Sequence, residues 1–235
     1  MKKAIFFTVF DRLVYLKKTL DSWAKVEGIE NYDVYFKVEP SEFLDGELDV
    51  INDFYDKINT NLYIIINDEL MGCAENVWSG FNALFEKYDF VILAEDDILV
   101  SKDILNYFDY LENKYNEDDK VSIISANTKD EGIDSSLVVR QQKFNGLVWG
   151  TWKKYWVNYF KNTWDKDYSS GVPGGWDWNL TLRVLPNNDL YVIHPCVSRS
   201  QHIGITGIHS TAEIFDLSQS PSFKEDNEWS DLREL

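Results

Sequence analysis

The chain has 235 residues, enough for one large α/β domain or two small ones, and its 23 basic against 40 acidic residues give a net charge of −17. That balance speaks against a phosphate-tracking surface, because nucleic-acid affinity rests on clustered Lys and Arg. Two distant cysteines, Cys73 and Cys196, offer neither a disulfide framework nor a metal-ligand spacing, which fits a reducing compartment. Aromatic residues make up 15% of the chain, with nine Trp, so most rings must pack in a core and some are expected to line a site.

The apolar run Ala4 to Val9 is read as a first strand rather than a signal peptide, since Asp11-Arg12 ends it and no small-residue cleavage site follows. No segment approaches the roughly 20 apolar residues of a membrane helix, and a soluble, cytoplasmic protein is expected. Asp11 is placed as the cap of a helix carrying Leu13, Leu16, Leu20 and Trp23 on one face. Tyr32 to Val38 reads as a second strand ending at Glu39-Pro40, and Leu48, Ile51, Tyr55 and Ile58 mark the next helix. A third strand, Leu62 to Ile66, leads through a polar loop with Met71-Gly72 to a helix from about Glu75 to Tyr88.

The strand Phe90 to Ala94 then runs straight into Glu95-Asp96-Asp97. Three adjacent carboxylates repel one another, and gathering them at a strand end is costly unless a cation or hydrogen-bond donors compensate. The carboxyl edge of an open α/β sheet is also where such folds bind ligands. A hard divalent metal would satisfy the cluster; an acidic turn after a core strand is the plainer alternative. Alternation of strands and helices over this half predicts a Rossmann-like, mostly parallel sheet flanked by helices. No Gly-x-Gly-x-x-Gly follows the first strand, which argues against dinucleotide binding.

Further on, Ile104, Leu105, Phe108, Leu111 and Tyr115 predict a helix and Val121 to Ser125 a strand. The character changes near residue 126, which is read as a lobe boundary within a single domain, 1–125 against 126–235. Asn127 to Ser136 is polar, Leu137 to Gln141 reads as a strand, and Phe144 to Gly150 mixes glycine with aromatics. Trp152, Tyr155, Trp156 and Tyr159 suggest a helix. Gly171 to Gly175 is a turn before a short helix opened by Trp176-Asp177-Trp178, in which Asp177 serves either as an N-cap or as a reactive carboxylate flanked by water-excluding rings. Tyr191 to Pro195 is the last clear strand; His194 within it reads as structural, and His202 and His209 follow in a Gly-containing loop.

In this order, Asp11-Arg12, Glu95-Asp96-Asp97, Ser125-Ala126-Asn127, Phe144 to Trp149, Trp176-Asp177-Trp178 and Pro195 to Arg199 running on to Gly204, Gly207, His209 and Phe215-Asp216 resemble the motifs of a GT-A-fold inverting glycosyltransferase. The similarity is greatest to the β-1,2-N-acetylglucosaminyltransferase I type, and it extends over nearly the whole chain. The resemblance implies a GT-A domain with a smaller acceptor-side lobe. It implies a nucleotide-diphosphate sugar donor, with a UDP-sugar expected, used with Mn²⁺ or Mg²⁺. It further implies Asp97 on the metal, Asp96 by the ribose, Glu95 near the donor sugar and Asp177 as the base that takes the acceptor hydroxyl's proton. Arg12 matches a donor-site residue, Glu39 stands where the family reads uracil with a shorter Asp, Asn76 lies near the position of a family histidine, and His209 sits in a loop like the family's donor-closing loop. Ser198-Arg199 resembles a motif for which contact with the diphosphate is the only chemistry implied. Two alternatives stay open: a non-catalytic carbohydrate- or nucleotide-sugar-binding protein of the same fold, and a sugar nucleotidyltransferase, although Phe7 to Arg12 lacks the glycine-rich phosphate loop such enzymes carry. The acceptor hydroxyl is unspecified; charge disfavours nucleic acid while leaving a modified base open.

Overall fold

The computed structural model describes residues 1–168, 175–206 and 212–235. In chain order the first half is β1 (Lys3–Val9), α1 (Leu13–Trp23), β2 (Asp33–Val38), α2 (Leu44–Tyr55), β3 (Leu62–Ile66), α3 (Cys73–Leu84), β4 (Phe90–Glu95), β5 (Ile98–Val100), α4 (Ile104–Tyr115) and β6 (Val121–Ser125). The second half is β7 (Leu137–Gln141), β8 (Trp149–Trp152), α5 (Lys153–Tyr155), α6 (Trp176–Asn179), α7 (Leu185–Asn187), β9 (Tyr191–Pro195), β10 (Ser200–His202), α8 (Ala212–Ser218) and β11 (Arg233–Glu234). Single turns of π-helix, Trp156–Phe160 and Leu180–Val184, extend α5 and join α6 to α7.

One nine-stranded sheet in the order β11-β7-β9-β6-β8-β4-β1-β2-β3 forms the body, and β5 and β10 make a separate two-stranded ladder. β3, β2, β1 and β4 are mutually parallel, as the strand–helix alternation predicts. β8 runs antiparallel between β4 and β6 and thereby ties the two halves of the chain into the same sheet. The chain there is Trp149-Gly150-Thr151-Trp152 where a loop and the start of a helix are expected. All four residues are buried between strands already fully enclosed, and a side chain at Gly150 would collide with the Phe90 ring. Tertiary enclosure, not local preference, makes this strand.

Aromatic side chains fill both faces of the sheet. Phe7 stacks on Phe36 at 4.7 Å and meets Trp23 edge-on at 5.2 Å, which fastens α1 to one face. Phe81 of α3 lies 5.9 Å from Phe6 and 4.9 Å from Trp156 on the other. Close approach of α3 requires Gly80, whose Cβ would strike the Phe6 ring. Trp23, Trp149, Trp152, Trp156 and Trp176 are all buried, so core packing accounts for most of the tryptophan content. Among the described residues no helix is long and apolar enough to cross a membrane.

Candidate active site

The carboxyl ends of β1 and β4 lie side by side, with Thr8 opposite Glu95, so each strand exits next to the other's loop. β1 continues into Asp11, which adopts φ +55°, a left-handed conformation that non-glycine residues occupy at a cost. This replaces the expected capping role of Asp11: the residue that opens α1 is Arg12, and no side chain caps the helix. The sharp turn is held from α2 by buried Glu47, whose Oε1 accepts from the Arg12 backbone N–H at 3.3 Å and whose Oε2 accepts from Ser41 at 3.0 Å. It aims the Arg12 guanidinium at the acidic triplet, where Nη1 pairs with Oδ2 of Asp97 and lies 3.7 Å from Oδ1 of Asp96.

The triplet is not a solvated turn. Asp96 is 6% exposed and Asp97 fully buried. Asp96 accepts from the Phe10 N–H at 2.8 Å, and its own carbonyl accepts from Thr19 at 3.0 Å. Loss of water pushes the Asp96 carboxyl up to about 7, against the pull of Arg12 and the Phe10 N–H. Glu95 is raised by the same loss of water; Arg12 and His202 offset part of it, and Asp177 adds to it. The charges of Glu95, Arg12, His202 and Asp177 therefore act on one space.

Asp97 is the most confined of the three. Its Oδ2 receives Arg12 and stands 3.1 Å from Nε2 of His202, and its carbonyl accepts from the Ile203 N–H at 2.9 Å. Its Oδ1 is buried with no hydrogen-bond partner among the described residues. Such an atom costs free energy unless a cation meets it. Among the described residues no three His, Cys, Asp or Glu side chains gather into a ready-made metal cage. A hard cation that keeps water and takes phosphate oxygens needs only one or two protein ligands, so the donor set at Asp97 fits Mn²⁺ or Mg²⁺.

Asp177 stands in the first turn of α6 and is not the N-cap, a position taken by Gly175 at φ +135°. Beyond α6 the helix continues through the π-helical turn into α7. Trp176, the residue before Asp177, stacks on Trp164 at 4.7 Å and packs against Trp149 and Phe144.

Glu39, just after β2, and Asn76, in α3, form a second group. Glu39 Oε2 accepts from Asn67 at 3.1 Å and from the Met71 N–H at 2.9 Å, while Oε1 accepts from the Gly72 N–H at 2.9 Å. Asn76 accepts from Asn67 at 2.9 Å and donates to the Lys37 carbonyl at 3.4 Å. Both side chains thus shape the loop that opens α3. His209 lies outside the described residues. Arg199 is fully buried, paired with Asp103 at 3.1 Å and placed 4.5 Å over the Tyr107 ring, so it holds the core and has no path to a diphosphate. His194, bonded to the Asn127 and Lys143 carbonyls, is structural as expected, and burial lowers its pKa.

His202 and Glu47 received no role from the sequence. Glu47 lies in the first turn of α2, 35 residues from Arg12, with no local signal. His202 is brought in by the β5–β10 ladder, which sets it opposite Ile98. A histidine three residues from Ser198-Arg199 was a faint cue.

A model of the GNT-I family matches residues 78–220, which contain the acidic triplet, Asp177 and His202. No curated protein sequence matches the chain. Among solved structures, residues 1–349 of TarS from S. aureus in complex with UDP-GlcNAc share 13% identity over 92% of this chain and 63% of that one, with a TM-score of 0.59. The mannosyltransferase PcManGT from Pyrobaculum calidifontis, in complex with GDP-Man and Mn²⁺, shares 12% over 81% of this chain and 56% of its own, with a TM-score of 0.53. A 4-diphosphocytidyl-2C-methyl-D-erythritol synthase from Anaerococcus prevotii shares 14% over 92% and 94%, with a TM-score of 0.52. The chain spans less than two thirds of the TarS and mannosyltransferase chains, and at these identities the likeness is one of fold.

Proposed function

The chain belongs to the GNT-I family and has the GT-A fold of nucleotide-sugar transferases, and from this premise we propose that it is an inverting glycosyltransferase that moves a sugar from a UDP-sugar to an acceptor hydroxyl. The observation that carries the reading is Asp97: a fully buried carboxylate at the ligand-binding edge of the sheet, one of whose oxygens has no partner among the described residues. That UDP-GlcNAc and GDP-Man with Mn²⁺ occur in complexes of proteins sharing the fold supports a nucleotide-sugar donor used with a divalent cation. The match to the family, rather than the fold, favours this reading over nucleotidyl transfer.

In this reading residues 1–125 hold the donor and residues 126–235 bring the acceptor and the base. Asp97 holds the cation, and Arg12 adds positive charge beside the diphosphate. Asp96 accepts from the ribose and Glu95 from the donor sugar. Glu39 and Asn76 shape the nucleobase end, and His209 comes from the loop that closes over the donor. When bound, the cation supplies charge against the departing diphosphate. Asp177 accepts the acceptor's hydroxyl proton as the new oxygen–carbon bond forms opposite the breaking bond to phosphate, and the anomeric centre inverts. The rings of Trp176, Trp164 and Trp149 exclude water from that side.

The test is donor hydrolysis without acceptor. UDP-sugars incubated with the protein and Mn²⁺ are expected to release UDP slowly, and Asp97→Asn is expected to stop this. Release of pyrophosphate from a nucleoside triphosphate and a sugar phosphate would mark a nucleotidyltransferase. A folded protein that binds UDP-sugars without turnover would be a binding protein of the same fold.

A further inference from the structure

α6 carries Asp177 but has little of its own to hold it in place. It is four residues long, its N-cap Gly175 has no side chain to close the first turn, and the chain beyond it passes into the π-helical turn Leu180–Val184. A helix this short is marginal without packing. Its direction, and with it that of the carboxylate, is fixed from outside.

The outside contacts come from one stretch, residues 163–168. The Tyr168 carbonyl accepts from the Gly175 N–H at 2.9 Å. The Thr163 carbonyl accepts at 2.6 Å from Nδ2 of Asn179, a fully buried residue. Between these two bonds the Trp164 ring lies flat on Trp176, with 4.7 Å between centroids and 13° between planes. Trp176 and Asn179, three positions apart, share one face of α6, and that face is gripped; half-buried Asp177 falls on another.

Trp164 is itself tied to the donor half. Its Nε1 donates to the Ala74 carbonyl at 3.1 Å in the first turn of α3, and its ring meets Trp156 edge-on at 5.5 Å. Trp156 donates to Oδ1 of Asn82 at 3.0 Å, and Trp78 donates to the Lys161 carbonyl at 3.1 Å. Indole N–H groups thus fasten residues 156–164 to α3 along its length. α3 in turn is seated on β1 through Phe81 and Phe6 and the close approach at Gly80. A continuous path of contacts runs from β1 through α3, Trp164 and Trp176 to the residue beside Asp177.

We infer that Trp164 is a positioning residue for Asp177: bonded to α3 and stacked on Trp176, it sets where the carboxylate stands relative to a donor held at the carboxyl ends of β1 and β4. The inference rests on the reading of Asp177 as the base of a glycosyltransferase, and it assigns residue 164 a part in the rate of transfer and none in donor binding. Misplacing a reacting group by about 1 Å costs about 10²-fold in rate.

The experiment compares the intact chain with Trp164→Phe, which keeps a ring for the stack and loses the N–H, and with Trp164→Leu, which loses both. The probe is UDP-GlcNAc with Mn²⁺, with water as the acceptor, and UDP release gives kcat and KM. Trp164→Leu should lower kcat by about thirtyfold or more and Trp164→Phe by about three- to tenfold, with KM within about threefold of the parent in both. Introduced into Asp177→Asn, Trp164→Leu should lower the remaining rate by less than about twofold, because a base that is absent cannot be misplaced. A ring that only supports the fold would slow both backgrounds alike. Losses that multiply in the double variant, a KM that rises as kcat falls, or a Trp164→Phe no faster than Trp164→Leu would each overturn the inference. Hydrogen exchange without substrate gives a second readout: the amides of α6 should exchange about tenfold faster or more in Trp164→Leu while β1 and β4 keep their protection, and an unchanged α6 would overturn the inference as well. Should Trp164→Leu not fold, Trp164→Phe carries the same comparisons. A parent that releases no UDP tells against the glycosyltransferase reading, and exchange of α6 then decides alone whether Trp164 holds Asp177 in place.

Discussion

Asp96→Asn separates the charge of the acidic triplet from its shape. Asp96 is 6% exposed, and loss of water raises its carboxyl from an ordinary 3.8 to about 7. A carboxyl raised in the folded state keeps a proton that the unfolded chain has already released. Its contribution to stability is therefore complete below about pH 4, declines as pH rises and is gone above about 7. The slope is about 1.4 kcal/mol per pH unit, so between pH 5 and 7 it amounts to roughly 3 kcal/mol. Asparagine keeps an oxygen for the Phe10 N–H, which Asp96 accepts at 2.8 Å, and has no proton to lose. Urea unfolding in EDTA, followed by tryptophan fluorescence, should show the stability of the parent minus that of the variant falling by roughly 3 kcal/mol from pH 5 to 8. A difference that stays flat, or grows with pH, would refute the view that burial holds Asp96 protonated in the metal-free protein.

Asp177→Asn should lower the rate of sugar transfer by about 10²- to 10⁴-fold while leaving UDP-sugar affinity within a few-fold, measured by turnover and by calorimetry on one preparation; an equal loss of affinity would point to a binding role. Gly204→Ala puts a methyl group into Oδ2 of Asp97 and should cost about 1–3 kcal/mol of stability together with the Mn²⁺-dependent part of nucleotide binding, both read by thermal shift with and without Mn²⁺. Arg199→Met leaves Asp103 buried, with Asn227 at 2.8 Å and Ser101 at 2.6 Å as its donors, and should destabilise by about 3–5 kcal/mol in urea. If Arg199 instead served the donor, its loss would spare stability and weaken nucleotide binding.

The parallel half of the sheet was legible because each strand announces itself. Phe90 to Ala94 is an apolar run with nothing polar until the triplet, and β1, β2 and β3 are separated by helices of clear period. β8 was not, because Trp149-Gly150-Thr151-Trp152 has neither length nor alternation and becomes a strand only between β4 and β6. The triplet, Arg12 and Asp177 could be named because each lies where a strand or helix begins or ends. Glu47 and His202 could not, since their places depend on α1 meeting α2 and on β10 meeting β5, contacts that join residues 35 and 105 positions apart. Glu39 shows the converse: an acid at a strand end, and so a ready candidate, whose carboxylate oxygens hold Asn67, Met71 and Gly72.

A chain of net charge −17 has every reason to keep three carboxylates apart, yet it assembles them at the end of β4. The structure meets this cost by a different means for each acid. Asp97 takes the guanidinium that the strained turn at Asp11 delivers, Asp96 is driven by burial towards its neutral form, and Glu95 is raised while Arg12 and His202 offset part of its charge. None of these is permanent: a guanidinium can turn away and a proton can leave, whereas a fixed positive charge buried among the acids could not. The site is thus close to neutral as the chain folds, and it gains negative charge as the proton leaves Asp96.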